Sequence, residues 1–397
     1  MTEQEQALPE QFGDHYRTIY AFGAGGQAPT MPVAWDELAR RAEESLEPMA
    51  AGYVFGSAGT EDTARENALA FASWRIVPRM LRDISVRDLS TSLLGMRWPA
   101  PLALAPVGVQ TIVHPDGELA AARGSAAVGV PMTAGTVASH TMEAIASELG
   151  DAPRMFQLYW PNDPELAKSF VERAEASGYG SIMVTVDNAF PGWKPRDLQN
   201  AYLPFIHGQG LANFFSDPVF RGSLEQSPED DQGAAIGHFI GVFGNPGLTW
   251  EDLDRLRGMT SLPIVVKGIL HPDDAREARE RGAEGIVVSN HGGRQVDGAI
   301  ASLDALPAIA DAVGDELTVL LDSGVRSGAD AVKALALGAD AILVGRPYLW
   351  GMALEGAEGV EKVLRFLLAE LDLTMALSGS VRPAEIDPGL LVRRSAC

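Results

Sequence analysis

From about residue 99 onward, short apolar runs alternate with stretches in which apolar positions recur every three or four residues. The runs are APLALAP (100–106), GVPMTA (129–134), RMFQLY (154–159), SIMVTV (181–186), LPIVVKG (262–268), GIVVSN (285–290), LTVLLD (317–322) and AILVG (341–345). Each is short and bounded by Gly, Pro or Asp, which is how a strand buried on both faces reads. Between them lie helical patterns such as PDGELAAARGSAAVG (115–129), DPELAKSFVERAEASG (163–178), HPDDAREARERG (271–282) and SGADAVKALALG (327–338). Strand–helix alternation implies a parallel sheet, because parallel neighbours need a crossover. Eight runs predict an α/β chain folded as a (β/α)8 TIM barrel over residues 99–378. An open sheet is compatible with the pattern alone, but no Gly-x-Gly-x-x-Gly opens the first strand–helix turn.

Outside the barrel the pattern changes. Residues 1–98 read as an arm and helical cover, with helical spacing from Trp35 to about Phe71 broken at Gly52 and at Gly56–Gly59. Over 70 residues separate the fourth run from the fifth. A connection this long is expected to be a lid or binding loop, placed here at 188–249. Its acidic middle, Ser227–Gln232, is expected to be mobile, and Phe214, Phe215, Phe220 and Phe243 to pack over the barrel mouth. Residues 379–397 form a C-terminal tail.

Composition narrows the partners. The chain has 397 residues, 46% hydrophobic and 21% charged, enough apolar mass for a large core. Its 31 Lys and Arg against 53 Asp and Glu leave a net charge of -22. Such a surface repels nucleic acid and anionic membranes, both of which are bound through clustered cations. A single cysteine, Cys397, allows no intrachain disulfide and offers no metal site. The polar start MTEQEQALPEQFGDHY lacks the features of a signal peptide, and no run approaches the length of a membrane span. These features together predict a cytoplasmic protein.

Barrel enzymes place their chemistry at the C-terminal strand ends. Those ends hold Pro106-Val107-Gly108, Gln157 with Tyr159, Thr185 with Asp187, Lys267, Ser289 with His291 and Arg294, Asp322 with Arg326, and Gly345-Arg346. In SNHGGRQ (289–295), His291 can act as a base near neutral pH and Arg294 can fork onto a carboxylate. A capped turn with a satisfied histidine is the plainer alternative, and the Gly-Gly-Arg that follows argues against it. DSGVRSGAD (322–330) and LVGRP (343–347) each set Gly and Arg at a strand-to-helix turn. One such turn is ordinary geometry; two in succession favour a phosphate cradle. Lys267, ending a buried strand, can hold negative charge on a reduced cofactor.

SNHGGRQ, DSGVRSG, VKGI, FQLY and TVD occur in an order and placement that resembles the FMN-dependent 2-hydroxy acid oxidising family, from about Tyr53 to Tyr348. APVGV, GWKPRDL, SDPVF, LTWEDLD and the long insertion are most similar to its lactate 2-monooxygenase subgroup. The resemblance implies FMN as cofactor, a small 2-hydroxy acid and O2 as reactants, and a homo-oligomer, tetramer or octamer. It implies that His291 takes the hydroxyl proton, Asp187 pairs with His291, and Arg294 binds the substrate carboxylate. Tyr159 and Tyr53 would bond the substrate, and Lys267 would sit beside the flavin. Pro106, Val107, Gly108, Gln157, Thr185, Ser289 and Asp322 would hold the ring and ribityl chain; Gly324, Arg326, Gly345 and Arg346 would hold the phosphate. Gly108, where many family oxidases carry Ala, is linked in the family to slow release of the keto acid, so that lactate becomes acetate, carbon dioxide and water. A peroxide-releasing oxidase is the alternative, possibly on another hydroxy acid; an inactive FMN-binding protein is an alternative of another class. Two positions depart from the family pattern. Lys194 stands where a second carboxylate-binding arginine is usual, with Arg196 nearby. Gly135 stands where Ser is common, leaving one hydrogen bond missing or supplied by Thr136.

Overall fold

In the computed structural model, residues 11–394 are described, so Cys397 and the first ten residues lie outside them. Eight parallel strands close into a barrel: β1 (Leu102–Leu104), β2 (Met132–Gly135), β3 (Arg154–Leu158), β4 (Ile182–Thr185), β5 (Ile264–Ile269), β6 (Gly285–Val288), β7 (Thr318–Leu321) and β8 (Ala341–Val344). β8 pairs with β1 to close the ring. Eight helices follow in turn: α1 (Gly117–Val128), α2 (Met142–Leu149), α3 (Pro164–Ala176), α4 (Trp250–Arg257), α5 (Pro272–Glu280), α6 (Ser302–Val313), α7 (Gly328–Ala336) and α8 (Arg346–Ser378), the last kinked at Glu355–Gly356. Each of the eight runs thus coincides with a strand, although β2 and β5 continue one residue past their runs, to Gly135 and Ile269.

Local chemistry sets the helix ends. Asp163 accepts from the Glu165 and Leu166 amides with Pro164 at the first position of α3, and Ser327 and Asp330 form a capping box on α7. In the barrel, alternate strand residues face the axis. Ala103, Met155, Met183, Val265, Val287, Leu320 and Leu343 form an inner cluster, while Leu102, Phe156, Val184, Ile286 and Ile342 face the helices. An antiparallel hairpin, Thr91–Leu93 with Met96–Trp98, brings Leu94 and Trp98 into that inner cluster.

The N-terminal segment forms helices His15–Ala24, Trp35–Ser45, Pro48–Phe55 and Asp62–Ala72. Gly52 does not break the pattern as expected: it lies inside Pro48–Phe55, where a Cβ would meet the Asn200 side chain at 2.9 Å. The strand Leu391–Arg393 pairs with Trp74–Ile76, tying the two ends of the described chain together.

The insertion is helical, with segments Pro195–Gln199, Ala212–Phe215, Pro218–Gly222 and Gln232–Val242. The stretch expected to be mobile, Ser227–Gln232, forms a turn in which Ser227 bonds Asp230, and Asp231 caps the next helix. Phe214 and Phe220 do not lie over the mouth. They pack, with Phe239, in the insertion's own core, and Phe214 meets Phe170 of α3 edge-on at 5.0 Å. Phe215 tilts against Phe220, and Phe243 reaches the mouth, edge-on to Tyr159 at 5.5 Å. Among the described residues, no helix is long and apolar enough to cross a membrane, and no group of three His, Cys, Asp or Glu is placed to hold a metal.

Candidate active site

The inward alternation turns polar at the C-terminal strand ends. Met155 leads to Gln157 and Tyr159, Met183 to Thr185 and Asp187, Val265 to Lys267, Val287 to Ser289 and His291, and Leu320 to Asp322. One strand register therefore delivers both the packed interior and the polar ring above it. A solvent-open cleft of about 1240 Å³ lies there, and Tyr53, Tyr159, Lys194, Lys267, His291 and Arg294 share its wall.

His291 sits at φ 57°, followed by Gly292 and Gly293 at 67° and 75°. Only glycine takes such values freely, and a Cβ on Gly293 would meet the Ala64 amide at 2.7 Å. The Ser289 hydroxyl accepts from the His291 amide at 3.0 Å, fixing the bend. His291 Nδ1 lies 2.8 Å from Asp187 Oδ1, and Nε2 lies 3.4 Å from the Tyr159 hydroxyl. Burial opposes charge on Asp187, but His291 and Lys267 outweigh it and hold the carboxyl below its ordinary value. An ionised Asp187 fixes the proton on Nδ1 and leaves the Nε2 lone pair facing Tyr159 and the cleft. Burial pushes the Tyr159 phenol well up, so it stays protonated.

Lys267 is 4% exposed; its ammonium lies 3.2 Å from Asp322 and donates to Ser289 at 3.0 Å. Burial works against its charge, yet Asp322 and Asp187 raise its pKa, so the barrel mouth keeps a fixed cation. Four further cations line the cleft: Lys194, Arg294, Arg326 and Arg346. Among the described residues, none of these four has a carboxylate within ion-pair distance. Burial lowers Lys194 to about 8 and Arg326 to about 10. It lowers Arg346 to about 9, with Arg294 and Arg326 adding repulsion. Buried cations without counter-ions are costly, so this is a site built for anions.

The arginines are not equivalent. Arg346 donates to the carbonyls of Val54, Gly56 and Gly292 and to the Ser57 hydroxyl. Arg294 donates to the carbonyls of Tyr53 and Gly56, both at 2.7 Å, with its guanidinium 4.9 Å from the Tyr53 ring. Both therefore anchor the C-terminal end of helix Pro48–Phe55, where free carbonyls favour cations. Arg326 gives one bond to its neighbour's carbonyl and lies 5.2 Å from the Trp350 ring, leaving most of its donors open. Arg346 thus has one N–H left for a ligand.

Other predicted residues take supporting places. Gln157 and Thr185 are buried and bonded to each other at 3.0 Å, and neither they nor Ser289 line the cleft. Pro106, Val107, Gly108, Asp322, Gly324 and Gly345 do line it. Arg196 pairs with Glu43 and Glu61 and is not on the cleft wall. Thr136 does not stand in for a serine at 135: it donates to the Gln157 carbonyl and accepts from the Tyr159 amide. A Cβ on Gly108 would meet the Val137 carbonyl oxygen at 2.5 Å, and one on Gly324 would meet the Asn67 carbonyl oxygen at 2.6 Å. Packing alone requires glycine at both.

The profile of the FMN-dependent dehydrogenase family matches residues 42–393. The chain belongs to that family. It is 43% identical over 354 residues to an L-lactate oxidase of Lysinibacillus sphaericus, covering 89% of this chain and 91% of that one. It is 42% identical over 339 residues to 2-hydroxyacid oxidase 1 of Homo sapiens, covering 85% and 90%. A crystal structure of mandelate oxidase superposes with a TM-score of 0.81 at 38% identity, covering 92% of this chain and 99% of that one. This family member is an FMN-dependent oxidoreductase of 2-hydroxy acids. The residues present fit FMN: an open-handed buried guanidinium suits a phosphate, and a fixed ammonium inside the barrel mouth suits an electron-rich ring.

Sequence reasoning missed several supports. Gln295 Nε2 donates to the Asp187 carbonyl, to Asn188 Oδ1 and to the Phe190 carbonyl, fixing the loop that carries Asp187. Ser323, at φ 72°, bonds Asp322 and accepts from the Gly292 amide. Asn290 and Asn67 bond each other through both amides. Gln295 and Asn290 lie inside SNHGGRQ, so a signal was there; Asn67 gave none.

Proposed function

We propose that this enzyme oxidises a small L-2-hydroxy acid, with L-lactate its substrate and dioxygen the final acceptor. The observation that carries the reading is His291, with Nδ1 on an ionised Asp187 and Nε2 turned toward Tyr159 among unpaired cations. Arg294 and Lys194 bind the substrate carboxylate, which supplies the counter-charge both lack. Tyr159 and Tyr53 orient the substrate through their phenols. His291 Nε2 accepts the hydroxyl proton, and Asp187 stabilises the imidazolium that results. Bound FMN supplies the two-electron acceptor for the hydride from C2. Lys267, Asp322 and the residues Pro106 to Gly108 would hold the ring and ribityl chain, with Gln157, Thr185 and Ser289 supporting them from behind; Arg326, Gly324 and Gly345 would hold the phosphate, with Arg346 behind them.

Release of the 2-keto acid with hydrogen peroxide is the favoured fate of the products. The oxidase names carried by the relatives support it. The sequence argument for decarboxylation rested on Gly108, and packing against Val137 gives that glycine an independent cause. Decarboxylation to acetate and carbon dioxide is the second reading, supported by the GWKPRDL segment. Purified enzyme should bleach when mixed anaerobically with L-lactate and recover its colour with oxygen. Absence of bleaching by lactate, glycolate, mandelate and longer hydroxy acids would refute the function. Acetate in place of pyruvate and peroxide would select the second fate.

A further inference from the structure

A second cavity of about 1220 Å³ lies beside the cleft and opens to solvent. Its floor is the C-terminal ends of β4 and β5, from Val184 to Val186 and at Gly268 and Ile269; its roof is the segment from Phe243 to Leu253. Only three residues, Tyr159, Asn188 and Phe243, line both spaces. Because the Tyr159 hydroxyl stands 3.4 Å from His291 Nε2, this cavity comes within one side chain of the reacting centre.

Its walls differ in kind from those of the cleft. Trp160, Trp250, Leu248, Leu253 and Ile269 give it an aromatic and aliphatic surface, and it has no cation. Most polar groups on its walls are already engaged. Thr185 accepts from Gln157, Asn188 from Gln295, and Asp252 from Thr249 and Arg255. With Asp274 at its exposed rim, the cavity still offers small apolar solutes such as xenon an apolar wall on which to partition out of water. The cleft, with its unpaired cations, takes an organic anion.

We propose that the second cavity is the entry and holding site for dioxygen, separate from the door used by the hydroxy acid. The inference rests on the reading of dioxygen as acceptor. The overall change is hydroxy acid plus O2 to keto acid plus H2O2: the carbinol carbon loses two electrons and two protons, and dioxygen gains them. While the anion fills the space between His291 and Arg294, the cavity behind Tyr159 and Phe243 stays open to the gas.

Two variants narrow the cavity at residues that do not line the cleft: Leu248→Trp in the roof and Ala189→Phe at the exposed rim. Xenon under pressure, read by crystallography or xenon NMR, should occupy the cavity in the wild type and bind measurably less in both variants. In stopped flow, substrate-reduced variants should reoxidise severalfold more slowly with oxygen, while anaerobic bleaching by lactate keeps its wild-type rate. No xenon in the wild-type cavity overturns the proposal, as does wild-type reoxidation in variants that bind less xenon. Wild-type enzyme that bleaches but does not reoxidise in oxygen instead overturns the acceptor reading itself, so the two failures are told apart.

Discussion

On its proposed role in holding the substrate carboxylate, Lys194 should give substrate binding a pH limit. Its ammonium lines the cleft and has no carboxylate within ion-pair distance. Burial first, then repulsion from Arg294, lowers its pKa to about 8, with Asp197 pulling weakly the other way. The sign follows directly: the lysine is charged below that value and neutral above it. A substrate carboxylate binds the charged form, so affinity is full near pH 7 and falls through the alkaline range. At pH 9 about one lysine in ten is protonated, so KM should rise about tenfold between pH 7 and 9. Arg294, the second cation at the proposed carboxylate site, sets the floor. Lys194→Arg should move the rise to higher pH, because a guanidinium starts about two units above an ammonium before the same burial acts on it. The assay is KM for L-lactate at pH 6.5 to 9.5, with kcat recorded separately so that binding and turnover are told apart. Binding of pyruvate, read as a change in flavin absorbance, gives an independent affinity. A wild-type KM that is flat to pH 9.5, or an identical rise in Lys194→Arg, would refute the argument.

Three further outcomes follow from the geometry. At Gly268, φ is 113° and a Cβ would lie 2.7 Å from the Asp187 Cβ, so Gly268→Ala should displace the carboxylate from His291 and lower kcat about 10²-fold with FMN still bound; wild-type kcat would show that Asp187 does not need that space. Arg326→Leu should weaken FMN by about 10- to 100-fold through lost charged hydrogen bonds while leaving riboflavin, which has no phosphate, unchanged. Arg346→Leu should weaken both, because it frees the Tyr53 helix, and equal behaviour of the two variants in fluorescence titrations would contradict their assignment. Gly108→Ala should cost about 1–3 kcal/mol in denaturant unfolding from overpacking against Val137, and unchanged stability would return that glycine to a purely catalytic explanation.

The barrel was legible because its signals are local. Apolar runs of five to seven residues mark β1 to β8, and their period of two carries Met155 to Tyr159 and Val287 to His291 onto the inner face. The insertion was readable in part: Asp217 before Pro218, and Asp231 before Gln232, are helix starts in plain view. Its helices were obscured by acidic composition, which reads as mobility although Ser227, Asp230 and Asp231 spend their side chains on turns and caps.

Long-range placement accounts for what could not be read. Arg294 and Arg346 look alike in sequence to any anion-binding arginine beside a glycine. Which donors remain free depends on the end of helix Pro48–Phe55, over 200 residues earlier, whose carbonyls take two N–H groups from each arginine. The same holds for glycine. At Gly293 the backbone angle is reason enough, but at Gly108 the cause is a carbonyl on the loop after β2. A glycine near a flavin is therefore evidence of catalytic tuning only when no backbone already occupies the place its side chain would take. By that standard Lys194, which no neighbouring backbone forces, is the better position at which to test how the cleft binds its anion.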